Sequence, residues 1–464
     1  MDLASLGQIP SPEIDYLYSL RRGETRLGLV STRRLFALLG HPERGVPMAH
    51  VAGTNGKGST TALVAAMLQA GGLRVGRFTS PHVLSVEERI TVDGQPIDPE
   101  TLRQRIRELR PAIEQSGASF FEAMTAIAAL HFRDAGVQAA AYEVGLGGRL
   151  DATNVIPSSV SVLTSVGHDH EAILGRGLRS VCREKLGIVK RGVRLVAALD
   201  RPDLVRLARE TCARRRAALT LLPADAGRVL SVDLASGTRI ELRAPIRLEL
   251  VTRFLGAHQV RNVALAAHAV VEMHHRGVLD RPPDVVGGAA RAFLPGRFQV
   301  LPPWKDDPTT VLDVGHNPEA LLATLDVART MRGRGRTVIV LGLMRDKKLG
   351  SAAPRLARFA HEVVLTAPRV ERAWDPRVGL RFLPSGRGCA RRTVIPEVGA
   401  ALEHAFGSGA ETVLIVGSHF LLGEAVPWLA ARRALAPAAL LQAPVQALAA
   451  RPRQPTKRGS PTIR

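Results

Sequence analysis

The residues best suited to chemistry cluster where apolar runs give way to glycine. Gly53-Thr-Asn-Gly-Lys-Gly-Ser-Thr60 follows the apolar run 48–52 and precedes an alanine- and leucine-rich stretch from about Thr60 to Gln69. In a strand–loop–helix setting, such glycines turn backbone N–H groups inward, the helix dipole favours an anion, and Lys57 can reach phosphate oxygens. The loop departs from the usual nucleotide-hydrolase spacing. Its first glycine is closer to the Gly-Lys pair, and Gly58 separates Lys57 from the hydroxyls of Ser59 and Thr60. Ser59 is the better metal-facing hydroxyl, with Thr60 as its rival. Glu143 closes another apolar run, 137–144, just before Gly145-Leu-Gly-Gly-Arg-Leu-Asp151. A carboxylate at a strand end beside phosphate needs an intervening cation, so Glu143 reads as a Mg²⁺ ligand. One strand further on, 159–166 ends in Gly167-His168-Asp169-His170-Glu171. Histidine is an unusual partner for an oxygen-seeking ion, and spacing alone leaves His168, Asp169 and His170 open. Lys185 and Lys190, in the run 183–190, could neutralise a phosphate or a substrate carboxylate, or simply end a charged helix.

Those groups need a scaffold that gathers strand ends. Apolar β-type runs alternate with helical stretches, the pattern of a mostly parallel sheet covered by helices. Strands are expected at 48–52, 137–144, 159–166 and 194–199, a small antiparallel patch between about 220 and 255, and a helix over about 260–273. The same grammar restarts after Leu294-Pro-Gly-Arg-Phe298, where 309–315, 336–342, 361–367 and 411–417 predict four more parallel strands. Proline and glycine near Pro295 to Pro303 place a boundary there. The expected domains are 1–296 and 297–440, with 441–464 a disordered, proline- and arginine-rich tail.

Composition narrows the classes. The chain has 464 residues, 45% of them hydrophobic, which is enough for two cores. Its formal charge is +21, yet the arginines are dispersed, aromatics are only 4%, and no zinc-finger spacing accompanies them, so a nucleic-acid partner is not expected. Three cysteines make no disulfide framework. The first 15 residues lack a signal peptide's layout and no apolar run is long enough to span a bilayer; a soluble, cytoplasmic, membrane-free protein is expected. Scarcity is more telling than abundance. Only seven of 63 basic residues are lysine, and Asn55, Asn154, Asn262 and Asn317 are the only asparagines, so each retained one hints at chemical need.

The ordered set 53–60, Thr79-Ser-Pro-His82, 143–154, 183–190, 294–298, Asp313-Val-Gly-His-Asn-Pro318 and Gly417-Ser-His-Phe420 resembles the dihydrofolate synthase/folylpolyglutamate synthase family of the Mur ligase superfamily, over about residues 10–435. The resemblance implies an α/β protein with an N-terminal P-loop domain, a C-terminal Rossmann-like domain and a site in the cleft between them. It implies that Gly53, Thr54, Asn55, Gly56, Lys57, Gly58, Ser59 and Thr60 hold ATP phosphates, with Asn262, Arg297, Asp313 and His316 at the nucleotide. Two Mg²⁺ ions are implied, with Ser59 and Glu143 at the first, and His170 and a carbamylated Lys185 at the second. Catalytic roles fall to Lys57, Lys185, His170 and His316. Thr79, Ser80, Pro81, His82, Phe121, Glu122 and Asp151 correspond to the pterin side, and Ser418 to a contact near the closed cleft. Two departures stand out: Gly167-His168 where a small or apolar pair is commoner, and Gly315 where alanine is usual.

The implied reaction is ATP-dependent amide formation on dihydropteroate or a reduced folate with L-glutamate, through an acyl phosphate, by a monomer. A folylpolyglutamate synthase lacking the dihydropteroate activity is the nearest rival. A P-loop kinase or ATPase would explain 53–60 and Glu143 but leave the second domain idle.

Overall fold

The computed structural model describes residues 11–20, 28–331 and 335–442; nearly all of the tail expected at 441–464 lies outside them. Seventeen strands form three sheets among these residues. The first contains β1 (Met48–Ala52), β2 (Val75–Phe78), β3 (Ile90–Val92), β4 (Gln95–Pro96), β5 (Ala139–Glu143), β6 (Val160–Leu163), β7 (Leu195–Ala197) and β8 (Leu219–Leu221). Their order is β4-β3-β2-β5-β1-β6-β7-β8. β1 pairs in parallel with β5 and β6, so the phosphate loop, Glu143 and the 164–171 loop leave one edge of the sheet side by side. Only the β2–β3–β4 edge is antiparallel.

Burial on both faces explains the apolar runs. Ala49 and Val51 pack with helices Lys57–Ala70 and His258–His275, while Met48 packs on the opposite face with Pro99–Ser116 and Phe120–Asp134. Helix Lys57–Ala70 is buried almost all round, as its alanine-rich sequence demands. It begins three residues before the expected Thr60, because left-handed Gly56 (φ 85°) turns the chain directly into it. The predicted antiparallel patch is a separate sheet, β9 (Gly227–Asp233), β10 (Gly237–Leu242) and β11 (Leu248–Thr252), whose Ile240, Leu242 and Leu250 join the same core.

The third sheet has β12 (Gln299–Val300), β13 (Thr309–Asp313), β14 (Thr337–Leu341), β15 (Glu362–Leu365), β16 (Arg391–Val394) and β17 (Thr412–Val416), in the order β12-β13-β17-β14-β15-β16. The four expected strands are present and parallel. β16 is a fifth parallel strand that periodicity did not predict: at the sheet edge, its Arg-Arg-Thr-Val is only partly buried. The proposed boundary at 296/297 falls in the link between β11 and β12. No helix among the described residues is long and apolar enough to cross a membrane.

Candidate active site

The phosphate loop is stapled to the end of β6. Thr54 N–H donates to Ser165 O (2.9 Å), Asn55 N–H donates to Ser165 Oγ (2.9 Å), and Thr164 Oγ1 donates to Asn55 O (2.7 Å). A Cβ at Gly53 would sit 1.8 Å from Thr164 Oγ1, so this approach requires glycine. Gly56 meets Asn262 in the same way, with Oδ1 2.4 Å from an added Cβ; Asn262 is itself held by Gln259. Gly58, the residue that broke the usual motif, lies among Leu294, Arg297 and Glu143. An added Cβ would stand 2.8, 3.2 and 3.4 Å from Leu294 Cδ2, Arg297 Nη2 and Glu143 Oε2. The departure thus brings a guanidinium and a carboxylate up to the loop.

Burial and charge tune these groups. Lys57 Nζ donates to Gly53 O and Thr54 O, both at 3.1 Å. Burial lowers its pKa, against the pull of Glu143 and Asp169. Lys185 Nζ donates to the same Gly53 carbonyl at 2.8 Å; burial, helped by neighbouring Lys57, brings it down to about 7. Glu143 is buried and pushed up by that burial, with Lys57 and Arg297 opposing, and accepts from Ser80 N–H at 3.1 Å. Arg297 has a buried Nη1 with no protein partner among the described residues.

Across the cleft, Asp313 accepts from Phe298 N–H (2.7 Å), Gly315 N–H (2.7 Å) and Thr324 Oγ1 (3.0 Å). A Cβ at Gly315 would come within 2.6 Å of Asp313 Oδ1, which fits the glycine found where alanine is usual. His316 donates from Nδ1 to Val314 O (2.9 Å); burial, reinforced by Lys347, lowers it to about 4 and keeps it neutral. His170, in the left-handed region (φ 53°), lies 3.7 Å from Asp169 by Nε2. His168 faces away, pairing with Glu171 at 2.9 Å.

The substrate-side residues divide. Ser80 touches Glu143, and the His82 ring lies between Arg89 Nε (2.9 Å) and Tyr18 OH (3.4 Å). Thr79 N–H donates to Arg89 O (2.9 Å), Pro81 is exposed, and the Phe121 ring stacks so near Gly145 that a Cβ there would be 2.5 Å from it. Three others have structural duties. Glu122 accepts from Ser31, Thr32 and Ser119 N–H in a capping box; Asp151 accepts from Leu146 N–H, Thr153 N–H and Thr153 Oγ1; Ser418 caps helix His419–Arg432 through Leu421 N–H. Sequence reasoning passed over Asn317 and Lys347 as site residues, although each belongs to a rare type. Asn317 Nδ2 donates to Asn55 Oδ1 (2.8 Å) and Asn55 Nδ2 returns the bond to Asn317 Oδ1 (3.3 Å). Arg89, which holds His82, carried no such signal.

No group of three His, Cys, Asp or Glu side chains among the described residues is arranged to hold a metal. The fit to Mg²⁺ rests instead on oxygen donors of mixed kind: the buried Glu143 carboxylate and the Ser59 hydroxyl at the start of the loop helix. A cavity of about 440 Å³ lined by Arg194, Thr220, His268 and Glu272 contains none of these groups, whereas a smaller one of about 50 Å³ includes Arg297.

A P-loop on a parallel sheet, facing a second α/β domain across a polar cleft, is the plan of a Mur ligase. The Mur ligase middle domain matches residues 51–271, and the Mur ligase glutamate ligase domain matches 296–419. The chain is 33% identical over 362 residues to the dihydrofolate synthase/folylpolyglutamate synthase of Bacillus subtilis (75% of this chain, 83% of the relative). It is 32% identical over 413 residues to that of Mycobacterium tuberculosis (80% and 82%). A crystal structure of M. tuberculosis folylpolyglutamate synthase complexed with ADP and AMPPCP superposes with a TM-score of 0.79 at 30% identity (89% of this chain, 98% of that one). Escherichia coli FolC in complex with DHPP and ADP gives 0.78 at 26% (91% and 99%). The chain belongs to the dihydrofolate synthase/folylpolyglutamate synthase family and is an ATP-dependent ligase.

Proposed function

We propose that this chain joins L-glutamate to dihydropteroate and then extends reduced folates by further glutamates. The observation that carries it is the convergence of Lys57, Glu143 and Arg297 around Gly58, in a chain that matches the bifunctional relatives through both domains. The substrate carboxylate attacks the γ-phosphorus of ATP, and ADP leaves. The glutamate amine then adds to the acyl phosphate, and the tetrahedral intermediate expels phosphate to leave an amide. Lys57 exchanges its loop carbonyls for phosphate oxygens, and the loop amides and the free Nη1 of Arg297 meet the charge that moves with the phosphoryl group. Ser59 and Glu143 would hold one Mg²⁺, and His170 and Lys185 a second; Mg²⁺ supplies charge neutralisation on the phosphates. Lys185 has a large neutral fraction at pH 7, the form able to add CO₂ and become the anionic carbamate. Neutral His316, its Nδ1–H committed to Val314 O, presents Nε2 as a hydrogen-bond acceptor that orients the amine, whose proton leaves with the departing phosphate. Cleft closure keeps water from the acyl phosphate.

The test is ADP release that requires both dihydropteroate and L-glutamate, with dihydrofolate identified by mass. Folded enzyme that acts only on reduced folates supports the second reading, which a folylpolyglutamate synthase of Lacticaseibacillus casei, 32% identical over 377 residues, favours. ADP release without glutamate supports a kinase or ATPase. A monomer working in the cytoplasm completes the proposal.

A further inference from the structure

Besides the Asn55–Asn317 amide pair, a charged contact crosses the cleft. Lys347 lies in the turn after β14, which is braced to its own domain by the Met344–Ala373 bridge and by Arg345 N–H donating to Arg372 O (2.9 Å). Its Nζ sits 2.6 Å from Asp169 Oδ1, 3.2 Å from His170 Nε2 and 3.2 Å from Asp346 Oδ2. The Lys347 and Asp169 side chains are only 8% and 12% exposed, while neighbouring Lys348 is exposed. His316 Nε2 and the other Asp169 oxygen, Oδ2, stand 4.0 Å apart, so the same carboxylate faces both a lysine and a histidine of the second domain. A compact ammonium fits this three-acceptor seat; a planar guanidinium does not direct its donors so closely. That accounts for a lysine in a chain that otherwise uses arginine.

We propose that Lys347 is a positioning residue: seated on Asp169, its ammonium latches the second domain onto loop 167–171 and fixes His170 and His316 over the phosphate loop. The catalytic consequence rests on the ligase reading above, but the latch does not. Removing either partner leaves the other charge mostly buried and without its counter-ion, so loss of one side chain weakens the closed arrangement. Lys347 touches no group of the phosphate loop directly, so its loss should slow turnover more than it weakens ATP binding.

The test uses the full chain without nucleotide, with Cys389→Ser, and spin labels at exposed Arg209→Cys and Arg381→Cys. Cys182 and Cys212 are buried. Interdomain distances are then compared in the parent, Lys347→Met, Asp169→Asn, the exchange Lys347→Asp with Asp169→Lys, and the control Arg358→Met, an exposed charge on the second domain. Lys347→Met and Asp169→Asn should broaden the distribution toward longer distances, the exchange should narrow it again, and Arg358→Met should leave it unchanged. In turnover, Lys347→Met should lower kcat roughly tenfold, with the KM for ATP within about twofold, and Lys347→Arg should recover part of it. Superimposable distributions for Lys347→Met and the parent overturn the latch and leave the Asn55–Asn317 pair as sufficient. Unchanged kcat overturns the positioning role. A distance change in the variants together with a parent that lacks dihydropteroate- and glutamate-dependent turnover overturns the proposed substrates and leaves the latch.

Discussion

Replacing Gly58 by alanine separates the phosphate loop's packing from its chemistry. Gly58 lies in the first turn of helix Lys57–Ala70 with an ordinary negative φ, so the backbone accepts a side chain, and alanine favours a helix over glycine by about 1 kcal/mol. The added methyl would meet Leu294 Cδ2 at 2.8 Å, the movable end of a leucine, which costs about 1–2 kcal/mol unless that side chain rotates. The two effects nearly cancel, and net stability should stay within about 1 kcal/mol. Activity should not be spared. The same methyl stands 3.2 Å from Arg297 Nη2 and 3.4 Å from Glu143 Oε2, so the guanidinium must yield by a few tenths of an ångström. A displacement of 1 Å costs about a hundredfold, and this smaller one should lower kcat roughly three- to tenfold. Urea unfolding and steady-state ADP release measure the two quantities. A second variant, Gly58→Ala with Leu294→Ala, removes the leucine clash but not the crowding of Arg297. Full activity in the single variant, or full recovery in the double one, would refute this assignment of Gly58.

Arg297→Met should retain the fold, since Nη1 makes no protein hydrogen bond to lose, but it deprives buried Glu143 and Asp313 of a neighbouring positive charge, so both carboxylates should titrate higher while kcat falls about a hundredfold or more; near-normal turnover would exclude its guanidinium from the phosphates. Asn317→Ala removes both the cap on helix Pro318–Thr330, through Ala320 N–H at 2.9 Å, and the bond to Asn55, so stability should fall by about 1 kcal/mol and the KM for ATP should rise, as denaturation and kinetics can check. His50 is wholly buried, its Nε2 2.8 Å from Thr153 Oγ1, and burial, helped by Lys190, holds its pKa well below the usual value. The unfolded chain therefore takes up its proton first, so the contribution of His50 is present above about pH 6.5 and is lost as pH falls below it. His50→Gln should flatten the acid limb of stability against pH, and an unchanged limb would place the acid sensitivity elsewhere.

The phosphate loop was legible because glycine spacing and its strand–helix flanks leave few other conformations, and Glu143 because the strand periodicity ended on it. β2, β3, β4 and β16 were not legible: runs of two to four residues are too short to display the alternation that marks a strand, even where Val75, Phe78 and Ile90 are buried. Among site residues, family likeness placed Glu122 beside substrate, yet Ser119-Phe-Phe-Glu122 is the S-x-x-E spacing of a capping box, and that is how its carboxylate is used. Lys347 was flagged by rarity but had no flanking motif, because its partners are 177 and 178 residues away along the chain. Contacts at that separation leave no trace in local spacing.

Arg297 belongs by packing to the first domain's loop, yet the next residue, Phe298, gives its N–H to Asp313 at the end of β13. The arginine is therefore anchored like a key on the second domain's ring. On the function proposed above, parting of the domains would carry the guanidinium away with the second, and closure would deliver it. The nucleotide end of the cleft would then be electrically complete only while the doors are shut, and ADP would depart from a pocket already short of one positive charge.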